Sequence, residues 1–562
     1  MPSKSQLPWV PVHQSVPSFL FESPTATLPS TKPIIIDPKR PKTHYFTLHT
    51  LREWSKRLAT GLVAAGFEAG DRVMLFSGND LFTPVVVLGT LMAEGIYNSA
   101  NPAYTPRELA HQLKDSEPKF ILAADNCLDR ALEAADLAGL SRSRVYLFET
   151  IQPGHENTAP QTSMVGNHWR SLISTPDAGE DFKWKELNTP ELSNRTAILV
   201  YSSGTTGLPK GVELTHYNLI SNARQLRQVQ FTTDPSSRRA LCCVPLYHGL
   251  GLVYYMIVAP SMGMQVYIME RYNLADMLDY IPKFKLTELL LVPPILIAMS
   301  KHIQTHQGKY NVDSIQKVIA GAAPIGMEIT QDFEKIFSGR LNVRQGWGMS
   351  EALCITLCWH EQDPSKESSI SVGKLLPGGE AMILNDKGVE LPAGERGELW
   401  MRGPNVMKGY WKNPKATSDA LTKDGWLRTG DIAYVDEDDK FYIVDRIKEL
   451  IKVRGAQVAP AELEALLLEH PLLLDAAVIG AKGIGEEEYP RAYVVRREGA
   501  TITEKDIVEF VSSKVSKVKR LTGGVRFVDS VPKNPSGKIL RRELRERAAK
   551  EFSQGKKLMG KL

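Results

Sequence analysis

The sequence predicts an α/β protein, with a large N-terminal domain of layered α/β subdomains plus a β-rich subdomain, and a small α+β C-terminal domain. Short apolar runs alternate with helical patterns from about residue 50 to 350, which is typical of parallel sheets covered by helices. Several of these runs end in Gly- or Pro-rich turns, where ligands collect in open α/β sheets. The pattern becomes β-rich from residue 376, and a compact unit of about 110 residues follows Asp445.

Length and composition limit the class of protein. The 562 residues are too many for one hydrophobic core, so several subdomains are expected. A hydrophobic fraction of 43% with 23% charged residues is ordinary for a soluble globular protein. The formal net charge of +4 is close to neutral at this size, and nucleic-acid proteins carry a clustered basic face, so no nucleic-acid partner is expected.

The five cysteines do not suggest a disulfide framework. Their number is odd and the chain is large, which favours a reducing compartment. Cys354 and Cys358 are four residues apart and His360 follows them, but no second ligand pair at zinc spacing completes a site. We therefore expect buried thiols there.

No signal peptide or transmembrane segment is expected. Residues 1–20 lack a continuous apolar stretch. Residues 240–269 contain no Asp, Glu, Lys or Arg, but prolines and glycines interrupt them and His248 lies inside. A buried strand–loop–helix passage fits this stretch better than a membrane span.

The first part of the chain predicts alternating elements after an irregular lead-in. Residues 1–45 are rich in Pro, Ser and Thr and are expected to wrap the surface, and residues 152–195 are expected to be an irregular insertion. Thr105-Pro106-Arg107-Glu108 is a capping box that opens a helix. The other predicted elements are a helix at 51–65, a strand at 72–77, a helix at 85–93 and a strand at 119–124.

Residues 201–211 predict a phosphate-binding loop. They combine Ser202, Ser203, Gly204, Thr205, Thr206, Gly207 and Lys210. Glycines let the backbone turn its N–H groups toward an anion, hydroxyls add donors, and the lysine adds a positive charge. A buried strand at 196–200 precedes the loop and a helical pattern follows from Thr215, so we expect a strand-to-helix connection. The glycine spacing is not that of a Walker A motif, and a Ser/Thr-rich surface turn is the alternative.

The rest of the chain predicts strands that lead into turns. Strands at 241–245, 289–292, 317–320 and around 343 run into Gly- or Pro-rich turns. Strands at 378–384 and 397–402 and a hairpin of 431–435 with 441–444 follow. The small unit predicts strands at 450–453, 476–479, 489–495 and 525–529, with helices from Pro460 and Thr503.

Six motifs in this order resemble the acyl-adenylate-forming superfamily of acyl-CoA synthetases, adenylation domains and luciferases. They are the 202–211 loop, Gly321-Ala322-Ala323-Pro324, Gly346-Trp347-Gly348-Met349-Ser350-Glu351, Thr429-Gly430-Asp431, Asp445-Arg446 and Pro535-Ser536-Gly537-Lys538. Residues 448–462 most resemble the 4-coumarate–CoA ligase-like branch. The resemblance implies an AMP-binding domain at 1–445, a hinge at 446–449, and a mobile C-terminal domain with a basic tail at 450–562.

The resemblance also implies ATP, Mg²⁺ and CoA as ligands. Attack of a carboxylate on the ATP α-phosphate joins two anions, so the site must neutralise charge and hold the reactants in line. The 202–210 loop would hold the β- and γ-phosphates, Asp431 the ribose hydroxyls, and Glu351 the Mg²⁺ ion. The remaining residues implied to bind ATP or AMP are Gly321, Ala322, Ala323, Gly346, Trp347, Gly348, Ser350 and Arg446.

Two faces of the C-terminal domain are implied to serve two steps. Lys538 would bridge the substrate carboxylate and the α-phosphate in adenylation, although a solvated tail lysine is the alternative. Rotation about Lys448 would then bring Lys452, Gly455 and Gln457 to the site for attack by the CoA thiol. His248 would gate the acyl pocket and assist the thioester step, unless it is a buried structural histidine.

The predicted acyl pocket includes Tyr247, Ile319 and Leu353. Plant 4-coumarate ligases carry lysine at the position of Ile319, so an apolar pocket for a medium-chain or simple aromatic or heteroaromatic acid is expected. The main prediction is an ATP-dependent acyl-CoA ligase. Loading of a carrier-protein thiol, a luciferase-like oxygenase and an inactive acyl-binding protein remain as alternatives.

The C-terminus suggests a cellular address. Gly560-Lys561-Leu562 resembles the Ser-Lys-Leu peroxisomal signal, so a peroxisomal import receptor is a predicted partner, with a cytoplasmic location as the alternative. Because a receptor reads such a signal, the tail after Gln554 is expected to be disordered.

Overall fold

A computed structural model describes residues 2–22, 31–151, 167–202, 208–230, 235–306, 308–323, 325–361, 363, 369–453, 456–482, 488–534 and 537–559. The first elements are β1 (Ser3–Lys4), α1 (Val16–Phe21), β2 (Pro33–Ile36), β3 (Tyr45–Thr47), α2 (Leu48–Ala64), β4 (Arg72–Phe76), α3 (Thr83–Met92), β5 (Ile96–Ala100), α4 (Pro106–Ser116), β6 (Phe120–Ala124), α5 (Leu128–Ala138), β7 (Val145–Phe148), α6 (Pro176–Glu180) and α7 (Pro190–Ser193).

The middle of the chain alternates strands and helices. It contains β8 (Thr196–Ser202), β9 (Lys210–Thr215), α8 (His216–Gln230), β10 (Arg239–Cys242), α9 (Gly249–Val253), a π-helical turn (Tyr254–Val258), α10 (Ala259–Ser261), β11 (Gln265–Ile268), α11 (Leu274–Phe284), β12 (Glu288–Leu291), α12 (Pro293–Thr305), β13 (Lys317–Ala320), α13 (Met327–Glu334), β14 (Val343–Gln345), β15 (Trp347–Met349) and β16 (Leu353–Cys358).

The last third is first β-rich and then mixed. It contains β17 (Lys374–Leu375), β18 (Glu380–Leu384), β19 (Gly397–Arg402), β20 (Gly409–Tyr410), α14 (Pro414–Ala420), β21 (Leu427–Val435), β22 (Phe441–Arg446), β23 (Ile451–Val453), β24 (Ala456–Val458), α15 (Pro460–Leu468), β25 (Leu473–Lys482), β26 (Glu488–Arg496), α16 (Glu504–Lys514), β27 (Val525–Phe527) and α17 (Arg541–Met559).

Two seven-stranded sheets form the large domain within the described ranges. One has the order β20-β9-β8-β5-β4-β6-β7, and the other has the order β14-β13-β12-β10-β11-β2-β3. The strands from β8 to β7 in the first sheet and from β14 to β2 in the second are parallel. One continuous apolar cluster packs the two sheets and their helices together, as expected for strands buried on both faces.

Smaller sheets complete the fold. The β-rich subdomain is a five-stranded sheet, β1-β18-β19-β21-β22, with an apolar core of its own. The C-terminal unit combines the β23–β24 hairpin with the sheet β25-β26-β27 and the helices α15, α16 and α17. Its apolar residues form clusters separate from that of the large domain, so it has its own core.

Three expectations about local structure are wrong. The lead-in is not a surface wrap, because α1 and β2 bury Leu20 and Ile34 and β2 extends the second large sheet. The 203–207 loop does not join a strand to a helix, because Lys210–Thr215 alternates polar and apolar residues and pairs antiparallel with β8. The tail does not lose structure after Gln554, because α17 continues to Met559.

The cysteines agree with the sequence, since all five are free and buried. Within the ranges described, no helix combines the length and the apolar character needed to cross a membrane.

Candidate active site

Two glycine turns form the floor of a cleft at the carboxyl ends of the second sheet. Gly321 follows β13, and its N–H donates to the Leu291 carbonyl at 3.1 Å. Gly346 follows β14, and its N–H donates to the Ala320 carbonyl at 2.8 Å. A Cβ atom at Gly321 would lie 3.1 Å from the Gly346 carbonyl oxygen, so the two turns pack closely together and leave no room for a side chain at Gly321. Ala322 has a φ of +74°, a strained value for a residue with a side chain.

A buried carboxylate lies beside these turns. Asp431 is 3% exposed and accepts a hydrogen bond from the Trp347 indole N–H at 2.8 Å through Oδ2. Its Oδ1 lies 3.2 Å from Arg446 Nε, yet it accepts no hydrogen bond from any described residue. Burial raises the pKa of Asp431, and the charge of Arg446 opposes that rise. Oδ1 is therefore an acceptor that lacks a donor.

A second carboxylate lies near the phosphate loop. Glu351 Oε1 accepts hydrogen bonds from the Ser202 hydroxyl at 3.1 Å and from the Tyr410 hydroxyl at 2.8 Å. Lys210 Nζ lies 5.0 Å from the centre of the Tyr410 ring. Glu351 and Lys210 thus lie on either side of Tyr410 at the base of the loop. Ser350 starts the short helical turn that contains Glu351.

The predicted phosphate loop is only partly described. Ser203, Gly204, Thr205, Thr206 and Gly207 lie outside the described residues. The loop is the connection of the β8–β9 hairpin, and its two ends pair at Ser202 and Lys210.

The Lys538 loop reaches the same cleft from the C-terminal domain. The backbone N–H of Lys538 donates to the Asn534 side chain at 2.9 Å. Gly537 has a φ of +83°, and a Cβ there would lie 2.9 Å from Pro294 at the start of α12. This close approach to the large domain explains the need for glycine.

Lys538 interacts electrostatically with the charged residues of the site. Its side chain remains accessible to solvent within the cleft. Desolvation in the cleft lowers the pKa of Lys538, and the positive charge of Arg446 lowers it further. The negative charges of Asp431 and Glu351 raise it. The structure thus brings one lysine from the C-terminal domain together with both carboxylates of the large domain.

His248 stands at the start of α9. Its ring lies 4.6 Å from that of Tyr247, centre to centre. Its Nε2 is buried and has no hydrogen-bond partner among the described residues. Burial and then the charge of Lys538 lower the pKa of His248 to about 4, so the imidazole is neutral at physiological pH. A neutral imidazole can accept a proton.

The predicted acyl-pocket residues are apolar and closely packed. Ile319 is 6% exposed and Leu353 is 1% exposed. Leu353 has φ +69° and ψ −171°, a backbone region that is essentially reserved for glycine. The structure therefore holds this leucine in a strained conformation at the first residue of β16, two residues after Glu351.

Of the predicted second face of the C-terminal domain, the described residue Lys452 does not join this cluster. Lys452 is exposed on β23 and pairs in register with Gln457 of β24. Its backbone N–H donates to Glu488 at 2.9 Å, within the C-terminal domain. Gly455 and the Gln457 side chain lie outside the described residues.

Sequence reasoning missed several residues that hold the site. Tyr410 binds Glu351, but it lies 59 residues away and no spacing indicates the contact. Asn79 ties the loop before His248, because its amide donates to the Val244 and Met269 carbonyls and accepts from the Leu246 N–H. Ser99 donates to the Tyr247 carbonyl at 3.1 Å. A polar residue in the turn three positions after the buried strand β4 was the available signal for Asn79.

The arrangement suits a ligand that carries both phosphates and hydroxyl groups. Lys210, Lys538 and Arg446 offer positive charge, and Asp431 Oδ1 offers an unused acceptor. Among the described residues, no cluster of three or more His, Cys, Asp or Glu could hold a metal ion by itself. A single carboxylate together with ligand oxygens is the pattern that Mg²⁺ prefers, and Glu351 fits that pattern.

Two family models match the chain. The AMP-binding enzyme model matches residues 21–411, and the AMP-binding enzyme C-terminal domain model matches residues 462–538.

Individual proteins match over nearly the full length. A phenylacetyl-CoA ligase of Aspergillus niger is 37% identical over 542 residues, which cover 96% of this chain and 97% of that protein. The peroxisomal OPC-8:0-CoA ligase 1 of Arabidopsis thaliana is 37% identical, over 87% of this chain and 86% of its own. The crystal structure of ATP-bound MatB from Rhodopseudomonas palustris superposes with a TM-score of 0.80 at 27% identity, covering 96% of this chain and 99% of that one.

Proposed function

Because the chain belongs to the AMP-binding enzyme family and is an ATP-dependent acyl-CoA ligase, we propose that one cleft performs both of its half-reactions with different residues. The acid first becomes an acyl-adenylate with release of pyrophosphate, and the CoA thiol then takes the acyl group and releases AMP. One observation supports the residue assignment most strongly: Lys538 lies near Asp431, Arg446 and Glu351 in one cleft.

In the first half-reaction, the residues of the cleft hold two anions in line. Asp431 Oδ1 accepts no hydrogen bond from a described residue and would accept a ribose hydroxyl. The Gly321 and Gly346 turns, which carry no side chains, would lie against adenine. Lys538 would bridge the substrate carboxylate and the α-phosphate, and its nearness to Asp431, Arg446 and Glu351 supports this role. The reaction needs positioning and charge neutralisation more than covalent catalysis, and these fixed groups are of the types that provide both. The 202–210 loop and Lys210 serve the outer phosphates.

Magnesium is part of the proposal. Glu351 would contribute its carboxylate to the ion, with Ser202 and Tyr410 fixing that carboxylate through hydrogen bonds. The ion would neutralise charge on the phosphates, and the remaining ligands would be phosphate oxygens and water.

The second half-reaction requires the C-terminal domain to turn. The backbone N–H of Ile447 donates to the Gly430 carbonyl at 2.9 Å, which ties it to the large domain. Glu449 pairs with Arg545 of α17 at 2.6 Å, which ties it to the C-terminal domain. The backbone N–H groups of Glu449 and Leu450 both donate to the Arg446 carbonyl, at 2.9 and 3.1 Å, so Lys448 lies inside the turn that joins the two domains, and this supports Lys448 as the hinge. Rotation would remove Lys538 and bring Lys452, Gly455 and Gln457 to the cleft.

His248 would assist the thioester step. Departure of Lys538 would remove a charge that lowers the His248 pKa, so the unpartnered Nε2 would become a stronger base for the thiol proton.

The acid is proposed to be a medium-chain or a simple aromatic or heteroaromatic acid. Ile319 and Leu353 are apolar and buried, so nothing at these positions selects a phenolic hydroxyl. The similarity to a phenylacetyl-CoA ligase and to an OPC-8:0-CoA ligase supports this range.

An acid panel tests the proposal. Pyrophosphate release is measured with medium-chain, arylacetic, benzoic and hydroxycinnamic acids, with CoA or a carrier protein as the acceptor. We expect apolar acids to react with CoA and hydroxycinnamic acids to react less well. Preference for hydroxycinnamic acids would contradict the apolar pocket, and a preference for carrier protein would favour the loading reaction.

A peroxisomal location is proposed for the C-terminal Gly-Lys-Leu. One relative is named as peroxisomal, which supports the idea. A fluorescent protein that ends in residues 551–562 should appear in peroxisomal puncta, as a Ser-Lys-Leu control does. Diffuse fluorescence beside a punctate control would assign the enzyme to the cytoplasm.

A further inference from the structure

Asp445, three residues before Lys448, makes a contact across the hinge. It lies on β22 and pairs in register with Ile432 of β21, so its backbone belongs to the large domain. Its side chain is buried, at 7% exposure. Oδ1 accepts the N–H of the adjacent Arg446 at 2.7 Å, and Oδ2 accepts the N–H of Ala461 at 3.0 Å. Ala461 is in the first turn of α15, on the far side of the hinge.

The helix α15 has no capping side chain of its own. Its N-cap residue is Ala459, which makes no side-chain hydrogen bond, and Pro460 follows. In the same domain, α16 is capped locally by a capping box between Thr503 and Asp506. Asp445 therefore supplies the missing acceptor from another domain, and its negative charge suits the positive end of the helix.

Arg541, close to Lys538 in the chain, acts electrostatically on Asp445 and pairs with α15. Arg541 is three residues after Lys538 and donates to both carboxylate oxygens of Glu464 on α15, at 2.8 and 2.7 Å. The Arg541 charge also attracts Asp445, since it opposes the rise in the Asp445 pKa that burial causes. Asp445 thus faces α15 and the base of the Lys538 loop together.

We propose that Asp445 is a positioning residue that favours the orientation in which Lys538 faces the ATP cleft. Turning the C-terminal domain about Lys448 carries α15 away from β22. This rotation breaks the hydrogen bond from the Ala461 N–H to the Asp445 carboxylate, so the bond stabilises only the adenylation orientation. This inference rests on the proposed rotation about Lys448. Asp445 touches no reacting atom and acts through α15 and Arg541.

The test separates the two half-reactions in the full-length enzyme. Adenylation is followed by pyrophosphate release, and thioester formation is followed with a supplied acyl-adenylate and CoA. For Asp445→Ala we expect adenylation to slow by about 10- to 100-fold, the loss typical of a hydrogen bond to a charged group. Thioester formation should be unchanged or faster, because the second orientation becomes more populated. Asp445→Asn keeps an acceptor but loses the charge, so it should show a smaller loss of the same kind.

Asp436→Ala is the matched control. Asp436 lies in the turn of the same β21–β22 hairpin and accepts hydrogen bonds from Asp438, Lys440 and Tyr442, all within that hairpin. Damage to the hairpin alone should change both half-reactions equally. Equal losses in the Asp445 variants, or unchanged adenylation, would overturn the proposal, and Asp445→Asn decides if Asp445→Ala does not fold.

Lys448→Pro in the same assays separates this inference from the function it rests on. If proline slows only thioester formation while the Asp445 variants slow both steps equally, the rotation stands and the role of Asp445 fails. If proline slows both steps equally, the proposed rotation about Lys448 is contradicted, and so is the proposed role of Asp445 in that rotation.

Discussion

The two faces of the C-terminal domain differ in their surroundings. The Lys538 loop enters the cleft, where Gly537 packs against Pro294 and the pKa of Lys538 is lowered. The β23–β24 hairpin carries Lys452 on an exposed strand, and the backbone of Lys452 bonds within its own domain. Under the proposed assignment, this arrangement is the adenylation orientation. Among the described residues of the two faces, Lys538 lies near the carboxylates of the cleft and Lys452 does not.

The largest expected effect comes from removing Lys538. Lys538→Ala should slow adenylation by about 10²–10³-fold, because one preorganised charge at the transition state is lost. Conversion of a supplied acyl-adenylate should continue, since that step is proposed to use the other face. Arg542→Ala is the control, because Arg542 is 88% exposed on the same segment. Equal loss in both half-reactions would remove the distinction between the two faces.

A smaller effect is expected from stiffening the hinge. Lys448→Pro should leave adenylation largely intact and slow thioester formation by roughly tenfold or more, because proline fixes φ near about −65° and hinders the rotation. Single-turnover measurements of each step check this. Lys448→Ala removes the same charge without fixing φ, so it should react nearly as the unaltered enzyme does. A similar loss in Lys448→Ala would assign the effect to charge.

The smallest expected effect is a pKa shift at His248. Burial and Lys538 together lower this pKa to about 4, so Lys538→Ala should raise it while burial keeps it below 6.5. Because the folded pKa lies below that of the unfolded chain, protonation destabilises the fold as the pH falls from about 6.5 to about 4. That window should narrow in Lys538→Ala. An NMR titration of the ring checks the shift, and Arg542→Ala should leave it unchanged.

The sequence predicted those parts of the fold whose signal is local. The capping box at Thr105 and the strand before Gly321 are where their patterns place them, because hydrogen bonds and apolar periodicity act over a few residues. The β9 strand was missed because it has only six residues and lies between a glycine-rich loop and a helix. So short a segment is easily taken for the end of the loop that leads into the helix. The buried lead-in was missed because Ile34–Ile36 gains its burial from β11, more than 200 residues away.

In the site, as in the fold, the residues in recognisable motifs were predicted and the long-range contacts between them were not. The family resemblance implied Asp431, Glu351 and Lys538, and the structure places them in one cleft. The contacts of Tyr410 with Glu351 and of Asp445 with Ala461 join elements that are distant or separated by the hinge. Such contacts depend on how domains dock, and no spacing along the chain encodes that.

The strained backbone of Leu353 has a consequence for how the substrate range of this enzyme can diverge. A glycine there would relieve strain of about 1–3 kcal/mol, whereas deleting a buried leucine side chain and leaving a cavity typically costs about 2–5 kcal/mol. The loss is the larger effect, so this exchange would destabilise the fold while it adds volume beside Glu351. A mutation of Leu353 that alters acid preference, as its proposed place in the acyl pocket implies, would therefore need a second, stabilising mutation elsewhere.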